Sequence, residues 1–246
     1  MADGLRAGSV GRPGSLPGTA PGAREAAPGA QRRRGLYLAV LGVAYAVLLA
    51  FVVIVVWEQY EEARDTVETE ANELAGIYFL ADRFSDEAAR ERVQELARSY
   101  ARTVVEVEWS MMERGETSET LRELRLSLLD VEVSPGAGEV LYGQGLTRLH
   151  EVSDARRLRL LEVTQGLPGI LWVVLMVGGV VTVGFTYLFG LKSNWAHALM
   201  VAALTLVICG ILFTIGALEY PFAGLARVEP TAFEEVLRSF EEGRTL

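Results

Sequence analysis

The chain has 246 residues, 50% hydrophobic and 22% charged, with a formal net charge of −9 and a mean hydropathy of +0.25. An acidic balance argues against a nucleic-acid partner, which needs a concentrated basic surface. One cysteine, Cys209, cannot close an internal disulfide, and no Cys/His spacing suits a metal, so no cofactor or metal is expected.

Residues 1–34 are rich in Gly, Pro, Ala and Arg without a periodic apolar face. Such a tail buries too little to offset its ordering entropy, and the composition predicts disorder through residue 34. Arg32-Arg33-Arg34 then precede an uncharged run, Gly35–Trp57, long enough to cross a bilayer, which takes about 20 apolar residues. Ala44-Tyr45-Ala46 imitates a signal cleavage site, but the apolar run continues well past it, which favours a retained first span. Gly42, Ala46 and Ala50 recur every fourth residue, the pattern of a close helix–helix contact in lipid.

From Glu58 to Gly166 the chain turns charged and helical. Tyr60, Ala63, Val67, Ala71, Leu74, Tyr78 and Ala81 keep helical spacing, so the first span is expected to run on as one helix to about residue 82. After a break at Arg83–Asp86, a second helix carries a stripe of Val93, Leu96, Ala97, Tyr100, Val104, Val107 and Met111. Thr117 or Ser118 would cap a short helix using Leu121, Leu124 and Leu128, and Ser134-Pro135-Gly136 marks a turn. A last helix over about 139–164 uses Leu141, Leu146, Leu149, Val152 and Leu160. No strand alternation occurs, and the soluble part reads as a helical bundle.

Two further uncharged runs, Ile170–Leu191 and Leu199–Leu218, are joined by a short polar link and predict a hairpin of spans. Residues 219–246 follow as a membrane-proximal segment. The predicted fold class is therefore an all-α membrane protein, three spans with a soluble bundle inserted between the first and second. Phosphate-loop, dinucleotide, zinc-protease and nucleophile-elbow motifs are all missing, and no catalytic residue or enzyme activity is expected. The many carboxylates between Glu58 and Glu162 are read as solvated helix faces, and His150 and His197 as lone polar residues. Arg156, Arg157 and Arg159 suit either anchoring at the membrane surface or attraction of anions.

Several dispersed segments carry a resemblance: Tyr45–Phe51 leading to Trp57-Glu58, Glu108-Trp109 with Met112, Arg156-Arg157-Leu158-Arg159, Leu167-Pro168 with Leu171-Trp172, and Leu218-Glu219-Tyr220-Pro221-Phe222-Ala223-Gly224 followed by Pro230 and Phe233. In this order, over about residues 36–240, they resemble the bacterial bestrophin-like (DUF4239) family of integral membrane proteins. Members usually carry Asp where this chain has Glu219, and begin with an additional span where this chain has its tail. Either the start lies further upstream or the protein works with three spans.

The resemblance implies a homo-oligomeric channel, a pentamer by analogy with bestrophins, with ions and in particular anions as the permeant. The helix entering the soluble domain lines the pore in bestrophins. That place falls here to a stripe of Ala44, Val47, Phe51 and Ile54, whose side chains equally suit a lipid- or protein-facing role. It also places the bundle in the cytosol and the spans in the plasma membrane; arginine and lysine counts give no clear winner between the two faces. A different class of function remains open from the residues alone: a membrane-anchored interaction or sensor protein whose bundle binds a partner.

Overall fold

The computed structural model describes residues 28–112, 120–131, 136–188 and 195–243, and every regular element among them is helical. Helix α1, Pro28–Ala81, is a single rod of 54 residues, roughly 80 Å at 1.5 Å per residue. It begins earlier than the tail boundary read from composition: the backbone is helical from Pro28 through Arg32–Arg34, and residues 1–27 lie outside the described ones. Proline suits the first turn because that turn has no use for its missing N–H.

Helix α2, Glu87–Thr103, is capped by Asp86, whose carboxylate accepts from the Ala88 N–H at 2.9 Å. It passes without a break into a π-helical turn, Val104–Glu108, and then α3, Trp109–Met112. Helices α4 (Thr120–Leu129) and α5 (Ala137–Glu162) complete the inserted part. The apolar stripe of α1 is buried from Ala63 to Ala81, and so are Leu121, Leu124 and Leu128 of α4 and Leu149 and Val152 of α5.

Helices α6 (Gly169–Leu188) and α7 (Trp195–Leu218) are long and apolar enough to cross a membrane, as is the first part of α1, so three spans are present. The link between α6 and α7 lies outside the described residues. After α7 the chain was expected to follow the membrane surface. It turns back instead, and α8, Thr231–Glu242, inserts Phe233, Val236 and Phe240 into the bundle core. Phe240 stacks on Tyr78 with ring centroids 3.9 Å apart.

α1 is the element both halves share, packing on α2, α5 and α8 in the bundle and on α6 and α7 among the spans. Its inward face in the membrane is Tyr45, Leu49, Val52 and Val56. The Tyr45 ring lies on the Gly178-Gly179 surface of α6, and its hydroxyl donates to the Leu175 carbonyl at 2.8 Å. A Cβ at Gly178 would sit 2.6 Å from Cδ2 and Cε2 of that ring. Hydrophobicity does not drive helices together in lipid, so such fit has to hold them. Gly178→Val is expected to destabilise the spans by about 1–3 kcal/mol, read as a lower thermal midpoint in detergent. An unchanged midpoint would show that α1 and α6 do not meet at this surface.

Candidate functional site

The charged centre of the bundle is built on Arg159 of α5, which has no solvent exposure. Its Nε and Nη2 donate to the two oxygens of Glu70 at 2.6 and 3.0 Å, a bidentate pairing with a carboxylate from α1. Nη2 also reaches Glu108 Oε2 at 3.3 Å, and Nη1 lies 2.7 Å from Met112 Sδ. Arg156, one turn earlier, donates to Glu108 Oε1 at 2.6 Å. Tyr100 of α2 donates its hydroxyl to Glu70, and the Trp109 ring lies under the Arg159 guanidinium, 5.5 Å from its centroid.

Among the described residues two carboxylates and two guanidiniums thus meet, and their mutual attraction offsets the cost of taking each from water. Burial alone would draw the Arg159 pKa down; Glu70 chiefly, then Tyr100 and Glu108, outweigh it and raise it. Burial first, and then the Glu70 charge, push the Tyr100 phenol well above its ordinary value.

Glu108 faces this centre because of the π turn. Trp109 N–H donates to the Val104 carbonyl five residues back, so the helix takes up one extra residue there. The face expected from α spacing, Val107 and Met111, is displaced by one position. Glu108 and Met112 are buried instead, while Val107 is 44% exposed. The carboxylates read as solvated faces are corrected here at Glu70 and Glu108. The reading of the arginine cluster is corrected at Arg159, which is buried and open neither to the membrane surface nor to an anion, while Arg157 is exposed.

A second polar junction closes the spans. Glu219, at the end of α7, accepts from the Leu167 N–H at 3.0 Å and from the Trp172 indole N–H at 3.0 and 3.1 Å. It therefore clamps the start of α6, where Pro168 accepts from the Leu171 N–H at 2.8 Å. The turn that follows is closed by Val228 N–H donating to the Pro221 carbonyl at 2.7 Å. Gly224 holds φ +115°, a backbone that side chains disfavour. Phe222 leaves this turn for the bundle core and meets Trp109 edge to face, centroids 5.8 Å apart. The resemblance residues thus gather into two groups, Glu108, Trp109, Arg156 and Arg159 around the ion pairs and Pro168, Trp172 and Glu219 around the clamp. Phe222 joins them, between Pro221 and Gly224.

The two α1 stripes fall elsewhere. Ala44, Val47, Phe51 and Ile54 are exposed among the described residues, Phe51 by 64%, with Ile54 at the edge of the hollow that follows. Gly42, Ala46 and Ala50 line an apolar hollow of about 840 Å³ between α1, α6 and α7, and a Cβ at Gly42 would meet nothing within 4 Å. His150 is exposed and His197 half-buried. Among the described residues no group of His, Cys, Asp and Glu is placed to hold a metal ion.

Span number, the α1 rod and the inserted bundle define an all-α membrane protein built around one shared helix. The family model of the bestrophin-like domain matches residues 20–233, and the chain belongs to that family. It is similar in fold to a point mutant of a bacterial bestrophin homologue from Klebsiella pneumoniae, at 13% identity and a TM-score of 0.63, covering 84% of this chain and 86% of that one. A point mutant of a membrane protein gives 16% identity and a TM-score of 0.67, over 86% of this chain and 88% of that one. No curated protein matches.

Arg159→Met would leave Glu70 and Glu108 buried without their shared partner and is expected to cost about 3–5 kcal/mol, measured by denaturant unfolding of the detergent-solubilised chain. Full stability in that variant would mean the carboxylates reach water. Tyr100 adds a pH dependence. Its folded pKa lies above the unfolded value near 10.0, so its contribution is complete below that value and is lost as pH rises past it. Wild type should lose thermal stability above about pH 10 more steeply than Tyr100→Phe; parallel curves would remove Tyr100 from the account.

Proposed function

We propose that this chain is one subunit of a homo-oligomeric ion channel whose pore is lined by the uncovered face of α1. The observation that carries the reading is the continuity of that face. Ala44, Val47, Phe51, Ile54, Glu58, Glu61, Asp65, Glu68 and Asn72 follow one another at alternating steps of three and four on one unbroken helix, and all but the half-buried Glu61 are exposed. A face repeating every 3.5 residues suits helices gathered about a common axis. Its apolar part would form a neck that gates by dewetting, with Phe51 the widest side chain. The hollow beside Gly42, Ala46 and Ala50 gives a neighbouring subunit's helix a place to approach closely. Five copies follows by analogy with bestrophins, and the same analogy supports a cytosolic bundle with its spans in the plasma membrane.

The likeness also carries an anion preference. The acidic continuation of the face, Glu58, Glu61, Asp65 and Glu68, favours cations instead, since rings of carboxylates concentrate them. A second reading, a membrane-anchored binding protein, is favoured by one feature. A groove of about 620 Å³ between α1 and α5 is edged by Glu58, Glu62, Asp65, Glu151 and Asp154, a surface suited to a basic segment.

Purified protein in planar bilayers under a KCl gradient is expected to carry current reversing on the cation side. Reversal on the anion side would keep the channel and discard the preference. Absence of current from an intact oligomer would favour the binding protein. Phe51→Ala is expected to raise unit conductance and Ala46→Leu to lower the subunit count by native mass spectrometry. A Phe51→Ala channel with wild-type conductance would take this face out of the pore.

A further inference from the structure

The segment after Thr103 carries two apolar registers, and only one is in use. With α spacing, the stripe of Val93, Ala97, Tyr100 and Val104 continues through Val107 and Met111. With the π turn, it continues through Glu108 and Met112, which are fully buried, while Val107 is 44% exposed and Met111 half-buried. Moving the extra residue out of the turn would rotate everything after it by about 100°. Val107 and Met111 would then take the core side, and Glu108 would swing toward water.

Among the described residues both registers keep the buried charges balanced. In the observed one, Glu70 and Glu108 face Arg159 and Arg156. In the other, Glu70 keeps its bidentate pairing with Arg159, and Glu108 leaves together with Arg156, whose side chain is already 14% exposed. Among the described residues neither register strands a buried charge, which is the condition that normally locks such a helix. The next residue gives the shift a longer reach. Trp109 touches both Arg159 and Phe222, and Phe222 belongs to the turn that ends the third span.

We propose that Val104–Glu108 is a register switch: the π state engages Trp109 with Arg159 and Phe222, and an annealed α state releases Trp109 and Glu108 and so uncouples the bundle from the end of α7. Single-residue π insertions in otherwise α-helical segments frequently sit at functional sites. The inference stands apart from the channel reading, because it concerns an equilibrium within one chain and needs no ion flux to be seen.

The test uses the full chain in lipid nanodiscs, labelled with fluorotryptophan, with the Trp109 fluorine resonance assigned by Trp109→Phe. Glu108→Gln weakens the charge-assisted bonds that favour the π state. It is expected to raise a second, exchanging Trp109 resonance about tenfold or more over wild type. Deleting Val105 removes the extra residue while keeping Glu108 and Trp109 inward, so it is expected to abolish that second resonance, alone and combined with Glu108→Gln. If Glu108→Gln does not fold, Arg156→Gln, at the outer edge of the cluster, takes its place with the same expected rise. No second resonance in the folded variant would overturn the proposal. So would a second resonance that survives the Val105 deletion.

Discussion

A guanidinium with no exposure to water is the constraint on which the bundle depends. Removing Arg159 from solvent costs several kcal/mol unless carboxylates meet it in good geometry. The fold supplies them from two distant places, Glu70 on α1 and Glu108 beyond the π turn. With Glu108 facing inward, the segment from α2 into α3 takes the π register. The helix absorbs an extra residue, Met112 rather than Met111 enters the core, and Trp109 comes under the guanidinium and against Phe222. A polar contact thus sets the apolar packing around it, the reverse of the usual order in a soluble core.

The membrane half is held by other means. Lipid offers apolar side chains as good an environment as a neighbouring helix does, so contact there depends on shape and on polar bonds. Tyr45 against Gly178 and Gly179 supplies the first, and its bond to the Leu175 carbonyl the second. Glu219 acts at the membrane edge, where it satisfies the Leu167 N–H at the approach to α6 and the Trp172 indole with one carboxylate. An Asp in its place would have to reach the same donors from one methylene closer to the backbone.

What the sequence made legible follows the strength of its periodicities. The three spans, the α1 rod and the stripes of α1, α4 and α5 stand on repeated apolar spacing that no competing signal disturbs. α8 was legible too in Phe233, Val236 and Phe240, but its position after a membrane turn drew the reading toward the surface. Glu70 was hidden by chemistry: a carboxylate beside the stripe of Val67, Ala71 and Leu74 reads as a flank, and only its partner 89 positions away shows otherwise. Glu108 was hidden by geometry, because α spacing assigns the core to Val107. The resemblance had already marked Glu108, Trp109, Arg156 and Arg159 together, though nothing local explained why they belonged to one group.

The same architecture limits where motion can occur. From Trp57 to Ala81 α1 has no proline, and its one glycine, Gly76, lies under the Arg148 side chain that reaches Glu73. The rod therefore joins span to bundle as a rigid shaft, and the face along it moves as one body. The other two connections are of a different kind. α6 is reached through Gly166-Leu167-Pro168-Gly169, and α8 through the Pro221–Gly224 turn with its left-handed glycine. Glu219 fastens the α6 side through Leu167 and Trp172, and the Val228–Pro221 bond and Phe222 against Trp109 fasten the other. Relative movement of α6 and α7 against the rod must strain or release those contacts together with the seat of Tyr45 on Gly178 and Leu175. Of the residues that carry the resemblance, Trp109, Pro168, Trp172, Glu219 and Phe222 sit at these joints, while Phe51 and Glu58 lie on the open face of α1.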